Sequence, residues 1–392
     1  MIIDCDTHLM PRDAFDGVGG RLAAVKPELR FDEQDLYTDV EFPGYPAEVD
    51  GTSPLLAPGS GAMFKSLWDP DSRMQDYDGR LGIEQQVVLP QFSGWWSYLI
   101  EPALACAMAR SHNEALLRLM KKFPGRILGA ALIPLQDVSG AITEMEWALE
   151  QGFCSVVLDK VYPVKDHPYS EPLGSHRELW PFFQRAEQLG APIYLHNVQH
   201  GHRISNLLPF QRDGLYIFAP QEGQMSLVSL FTSGLLDAFP KLQFIFTEAG
   251  TSFIKPLVQW LDRVLEEPPV DYDDQEQPLS NRTLSKIGER LRRARALYPA
   301  PVFLEKNKQP ASYYFKNNFY FTIETEEAEL PEAIEFLGAE RFLFATDYPH
   351  DDPGGRMKFE DVRLLRDNPK ISEAAKESIR WKNAQRLFAL PG

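Results

Sequence analysis

The feature that most constrains this chain is an alternation, repeated about eight times, of short apolar runs with longer stretches of helical periodicity. The runs predict strands at Ile2–His8, Glu84–Pro90, Ile127–Pro134, Ser155–Lys160, Pro192–Asn197, Leu242–Glu248, Asn318–Ile323 and Phe342–Asp347. Most are continuously apolar, as parallel strands covered on both faces require. Between them the spacing predicts helices over Ala103–Phe123, Ala141–Gln151, Glu178–Gly190, Met225–Phe239, Phe253–Leu265 and Leu330–Gly338, several stopping at Gly or before Pro. This pattern predicts the α/β class and, within it, a (β/α)8 TIM barrel. A doubly wound open sheet is the alternative, disfavoured because no GxGxxG follows the first strand.

The chain has 392 residues, more than the usual domain of about 50–250, but α/β barrels run larger as single units. Residues 1–392 are therefore expected to form one barrel domain with two long insertions, after strands one and six. The first, 10–82, is loop-rich, with Pro43, Pro46, Pro54 and Pro58; the second, 267–315, begins acidic and continues as a basic helix over about Thr283–Leu297. Both leave the C-terminal ends of strands, where a barrel builds its site, so lid or pocket roles are expected ahead of a dimer contact.

Composition excludes several classes. Hydrophobic residues at 44% and charged residues at 24% are ordinary for a globular protein with a sizeable core. A formal net charge of −16 argues against a nucleic-acid partner, which calls for a concentrated basic surface. Three cysteines, Cys5, Cys106 and Cys154, without CxxC spacing suggest reduced thiols and a cytoplasmic protein. No apolar stretch approaches the roughly 18 residues a membrane span needs. Acids at positions 4 and 6 are wrong for a signal peptide.

Chemistry gathers at the strand ends. In Asp4-Cys5-Asp6-Thr7-His8 the strand period of two places Asp4, Asp6 and His8 on one face, and burying that set without compensation is costly. Strand five ends on His196, strand six on Glu248, and strand eight on Asp347 with His350 close behind. Acids and imidazoles delivered by four strands to one rim are what a catalytic metal site on a barrel requires. Asp4 is expected to be structural, and Glu248 either a ligand or a nearby base. His350 is expected to orient a substrate or to cap a turn. His200 and His202 lie on the loop after strand five, and Trp95 and Trp96 after strand two, as candidate pocket residues. Lys160 ends strand four; His112, His167 and His176 are expected on helices or the surface.

These residues, in this order, resemble the amidohydrolase superfamily, in the branch of aminocarboxymuconate-semialdehyde decarboxylase. The resemblance rests on the opening acid-x-His strand, His196, Glu248-Ala249-Gly250 and Thr346-Asp347-Tyr348-Pro349-His350. It rests also on Asp69-Pro70 through Asp78 and Gly82, and on the closing Asn383-Ala384-Gln385-Arg386-Leu387, and so covers nearly the whole chain. It implies that Asp6, His8, His196 and Asp347 bind a divalent metal. Two positions depart from the common form: Asp6 stands where many relatives open with histidine, and Glu248 where many carry another histidine. Two imidazoles and up to three carboxylates suit zinc or manganese, and also iron.

The expected function is therefore that of a metal-dependent hydrolase or carboxy-lyase acting on a small carboxylated or cyclic substrate, with Asp347, His350 and Glu248 as catalytic groups. Asp347 or His350 would move protons for a metal-activated water, or Asp347 would protonate a ring carbon during decarboxylation. The alternative is a non-haem iron oxygenase, mono- or dinuclear, on the same barrel. Beyond a small-molecule substrate, the resemblance implies a homodimer.

Overall fold

A computed structural model describes residues 1–31, 38–41, 65–91, 101–162, 171–196, 211–266, 308–350 and 359–391. Eight strands form one sheet in sequence order: β1 (Ile3–Leu9), β2 (Gln85–Pro90), β3 (Ile127–Leu132), β4 (Ser155–Asp159), β5 (Ile193–His196), β6 (Phe244–Phe246), β7 (Phe319–Thr322) and β8 (Phe342–Leu343). Every neighbouring pair is parallel. The chain beyond β8 runs beside β1: Cys5 N donates to Phe344 O at 2.8 Å, Asp347 N to Asp6 O at 3.0 Å, and His8 N to Tyr348 O at 2.7 Å. That seam brings the last strand to the first and makes the sheet a (β/α)8 barrel.

Alternation along the strands splits the apolar residues into two layers. Cys5, Val87, Val157, Tyr194, Ile245 and Tyr320 belong to the inner cluster, which Ala384 and Phe388 join from the C-terminal helix. Their neighbours Val88, Val156, Ile193, Leu195, Phe244 and Phe319 belong to the layer against the surrounding helices. Those helices include α1 (Pro70–Asp76), α2 (Pro102–Lys122), α3 (Val138–Glu150), α4 (Trp180–Leu189), α5 (Gln211–Thr232), α6 (Ile254–Glu266), α7 (Ala311–Asn318) and α8 (Leu330–Leu337). Among the described residues, no helix is long and apolar enough to cross a membrane.

One expectation needs correction. The predicted helix Met225–Phe239 starts earlier, within α5, and is interrupted where Gly234 takes φ 81°, before a short turn over Leu235–Ala238. The segment 10–82 carries some regular structure. It contributes a two-stranded ribbon, Glu28–Phe31 with Thr38–Glu41, and α1, which Asp69 caps by accepting from Asp71 N at 3.2 Å with Pro70 in the first turn. Residues 42–64 of that segment, and 267–307 with the basic helix expected there, lie outside the described residues, so neither lid reading is tested.

Candidate metal centre

β1 provides the floor of the site through an irregularity. Its pairing with β2 shifts between Asp4 and Thr7, and a register shift breaks the alternation of faces. Asp4, Asp6 and His8 therefore do not act as one set, contrary to the expectation from spacing. The Asp4 carboxylate accepts from Thr346 N at 3.0 Å, Thr346 Oγ1 at 2.6 Å and Tyr77 Oη at 2.9 Å. It serves as a structural anchor between β1, β8 and the turn after α1. Burial pushes this carboxyl up to about 7 against those hydrogen bonds.

Asp6 and His8 join a different group. Asp6, His8, His196 and Glu248 bring one ligand atom each within 4.8 Å of one another, and so do His8, Glu248, Asp347 and His350. His8 Nε2 is the hub: it lies 3.1 Å from Asp347 Oδ1, 3.3 Å from Glu248 Oε1, 3.5 Å from Asp6 Oδ1 and 3.4 Å from His196 Nε2. His196 Nε2 is 2.9 Å from Glu248 Oε1. Four strand ends thus converge, as predicted. The floor is dry, with His8, Asp6 and His196 exposed by 0%, 1% and 4%, whereas Glu248, Asp347 and His350 form a half-open rim.

The electrostatics of the group suit a cation. Burial, with Glu248 and Asp347 close by, drives the Asp6 carboxyl well above its usual range, opposed by His8. Burial would lower His8, yet Asp347, Glu248 and Asp6 together hold its imidazolium up to about 10. Burial would also raise Glu248, but His196 and His8 keep it well below the usual carboxylate range. Against the same penalty His350 lowers Asp347. Three carboxylates crowd two imidazoles, with His8 Nε2 within 3.5 Å of an oxygen from each acid. Asp6 Oδ1 is buried and accepts no hydrogen bond among the described residues. Two facing Nε2 atoms and an orphaned carboxylate oxygen are a donor set that a divalent metal satisfies.

The backbone shapes the rim. Glu248 and Asp347 take φ of 49° and 56°, the left-handed region that side chains other than Gly rarely enter. The loop bearing Glu248 is clamped from the far side of β7: Thr251 N donates to Glu327 Oε2 at 2.8 Å and Thr251 Oγ1 to the same oxygen at 2.5 Å. Lys160 is buried and donates from Nζ to Thr247 O at 2.8 Å, so it supports the strand end and stands outside the ligand groups.

Other residues sequence reading missed. Arg73 on α1 is fully buried, donates to His8 O at 2.7 Å and lies against the rings of Tyr77 and Tyr348. Gln91, just past β2, meets the His350 ring. Only the Asp69–Gly82 motif hinted at the first; nothing marked the second. His112 lies on α2 as expected, but it and His176 are buried. His167, His200, His202, Trp95 and Trp96 lie outside the described residues.

A family model described as Amidohydrolase matches residues 3–390. The chain belongs to the amidohydrolase family. A gamma-resorcylate decarboxylase of Polaromonas sp. is 29% identical to this amidohydrolase over 298 residues, 72% of this chain and 76% of that protein. A 2-amino-3-carboxymuconate-6-semialdehyde decarboxylase of Dictyostelium discoideum is 26% identical over 203 residues, 49% of this chain and 52% of that protein. Among solved structures, 2,6-dihydroxybenzoate decarboxylase with 2,6-dihydroxybenzoate bound superposes with a TM-score of 0.67 at 21% identity, covering 100% of this chain and 99% of that one. A mutant 5-carboxyvanillate decarboxylase from Novosphingobium aromaticivorans, with manganese and a nitrobenzoic acid bound, gives 0.70 at 18% identity, covering 100% and 97%. At such identities the structural likeness speaks for the fold. The family match makes this amidohydrolase an enzyme.

Proposed function

We propose that this amidohydrolase is a divalent-metal-dependent carboxy-lyase that releases CO2 from a small aromatic carboxylate. The observation that carries the reading is the convergence of Asp6, His8, His196 and Glu248 within 4.8 Å, with the Asp347–His350 pair on its open side. The decarboxylase relatives support the reaction type. The oxygenase alternative draws no support from them.

In this reading Asp6, His8, His196 and Asp347 hold the cation, with Glu248 as a further carboxylate ligand. Manganese or zinc suits the mixed nitrogen and oxygen donors, as does iron. When bound, the cation supplies a Lewis acid for the substrate's carboxylate and neighbouring oxygen. This chain's residues perform the proton chemistry. His350 Nδ1 lies 2.7 Å from Asp347 Oδ1 and orients that carboxylate, which takes up a proton from solvent at the half-open rim. Asp347 passes that proton to the ring carbon bearing the carboxylate. The bond between that carbon and the carboxylate then breaks, its electron pair returns to the ring, and CO2 leaves. Glu248, set against both His8 and His196, serves as a ligand.

The test is CO2 release from 2,6-dihydroxybenzoate and 5-carboxyvanillate by manganese-loaded protein. Activity is expected with at least one aromatic carboxylate, and it should vanish in Asp347→Asn and after chelation. Ester or lactone hydrolysis with no CO2 release would replace this reading by the hydrolytic one. A cytoplasmic homodimer accompanies the proposal, and a solution mass of 44.6 kDa by light scattering would remove the dimer.

A further inference from the structure

Gln91 has no part in the proton transfer, yet its side chain ties the Asp347–His350 pair to the end of β2. It follows β2 directly, and β2 is registered against β1 with His8 opposite Leu89 and Leu9 opposite Pro90. Gln91 N donates to Leu9 O at 3.4 Å, and the residue is only 5% exposed. Its amide is therefore presented from a firm strand end. Nε2 of that amide lies 2.8 Å, and Oε1 3.1 Å, from His350 Nε2.

The hydrogen-bonding rules decide which atoms carry hydrogen. His350 Nδ1 faces the Asp347 carboxylate at 2.7 Å, and an ionised carboxylate can only accept, so Nδ1 carries the hydrogen. A ring with its one hydrogen on Nδ1 presents a lone pair at Nε2, and of the two amide atoms in reach there only the NH2 group can meet it. The His8 ring, stacked at 4.4 Å and 19°, holds the same imidazole by its face. Without the amide, Asp347 alone holds the hydrogen on Nδ1, and Nε2 is left to water, which can accept a hydrogen there as well as donate one.

We propose that Gln91 is a positioning residue that fixes the orientation and tautomer of His350, so that Nδ1–H stays on Asp347. The catalytic part of this inference rests on the carboxy-lyase reading; the hydrogen-bond part does not. Outer partners of this kind are typically worth about 10–100-fold in activity.

The experiment uses zinc-loaded protein with 15N-labelled histidine, in which two-bond nitrogen–proton correlations show the hydrogen on each ring nitrogen. His350→Phe assigns the ring. In the unaltered protein His350 is expected to carry hydrogen on Nδ1 and a lone pair on Nε2. Gln91→Met should mix the tautomers. On whichever aromatic carboxylate releases CO2, it should lower kcat about 10–100-fold with KM within about twofold. Gln91→Glu, which keeps the shape but only accepts, should draw a hydrogen to Nε2 and also lower kcat; it serves if the Met variant fails to fold. Hydrogen on Nε2 in the unaltered protein, or variant spectra identical to it, would overturn the proposal. If the unaltered protein decarboxylates nothing, the function assigned above falls, and the ring spectra still decide the role of Gln91.

Discussion

Glu248 and Asp347 turn away from their strands at φ of 49° and 56°, where a side chain costs backbone energy that glycine does not pay. In metal-free protein, Glu248→Gly should therefore be more stable than Glu248→Ala by about 1 kcal/mol in denaturant titration. Both should lose metal affinity in equilibrium dialysis. Equal stabilities would show that the loop relaxes out of this conformation when the carboxylate is gone. His112 makes a second residue-scale prediction away from the site. Burial pushes its imidazole down to about 4 from an ordinary value of about 6.5. Between those values the unfolded chain takes up a proton that the folded one refuses, so stability falls as pH drops through that window. Going from pH 7 to 5 should cost the protein about 2 kcal/mol more than it costs His112→Gln. Parallel pH curves for the two would dismiss His112 as the cause. At this scale the sequence announced Asp6, His8, His196, Glu248 and Asp347, because a lone acid or imidazole ending an apolar run is conspicuous. It said nothing of Gln91, since a glutamine after a strand has no pattern. It hid His112, whose burial depends on the packing of α2 against its neighbours.

The element scale shows how the barrel is shut. Asn383, at the start of the C-terminal helix Asn383–Leu387, donates from Nδ2 to Ala339 O and Phe342 O, both at 2.8 Å, tying that helix to the entry of β8. Phe388 stacks on Tyr194 inside the barrel with ring centroids 6.2 Å apart. Asn383→Ala should cost about 1–3 kcal/mol by stripping two carbonyls of their donor. Phe388→Ala should cost about 3–5 kcal/mol, read as a lower denaturant midpoint. If both changes were harmless, the helix would be an ornament and not a plug. The strand runs themselves were legible because burial on both faces leaves continuous apolar stretches such as Phe244-Ile245-Phe246. Their ends were less so. β8 is strand only over Phe342–Leu343, although the apolar run predicted it to Asp347, because beyond Leu343 the chain pairs along the irregular seam with β1. The register shift between Asp4 and Thr7 was equally invisible, since it shows only in how β1 pairs with β2.

For the whole molecule, a bound cation is a ligand of the folded state only. At a free concentration 100 times its dissociation constant, manganese should stabilise the protein by about 2.7 kcal/mol and raise Tm accordingly. Because His8 holds its proton up to about 10 when its carboxylate neighbours surround it, a metal taking Nε2 must expel that proton. Affinity should then rise about tenfold for each pH unit between 6 and 8, measured against a competing chelator. A flat profile would mean that His8 is not a ligand. The seam that joins β1 to the chain after β8 has one more consequence, in time instead of space. Asp4 and Thr346, bonded to each other across it, are 342 residues apart along the chain. At a synthesis rate of about 5–20 residues per second, Asp6 and His8 are made roughly 20–70 s before Asp347 exists. For that interval the nascent chain carries half a binding site, and no competent one can form until translation of this region is nearly done.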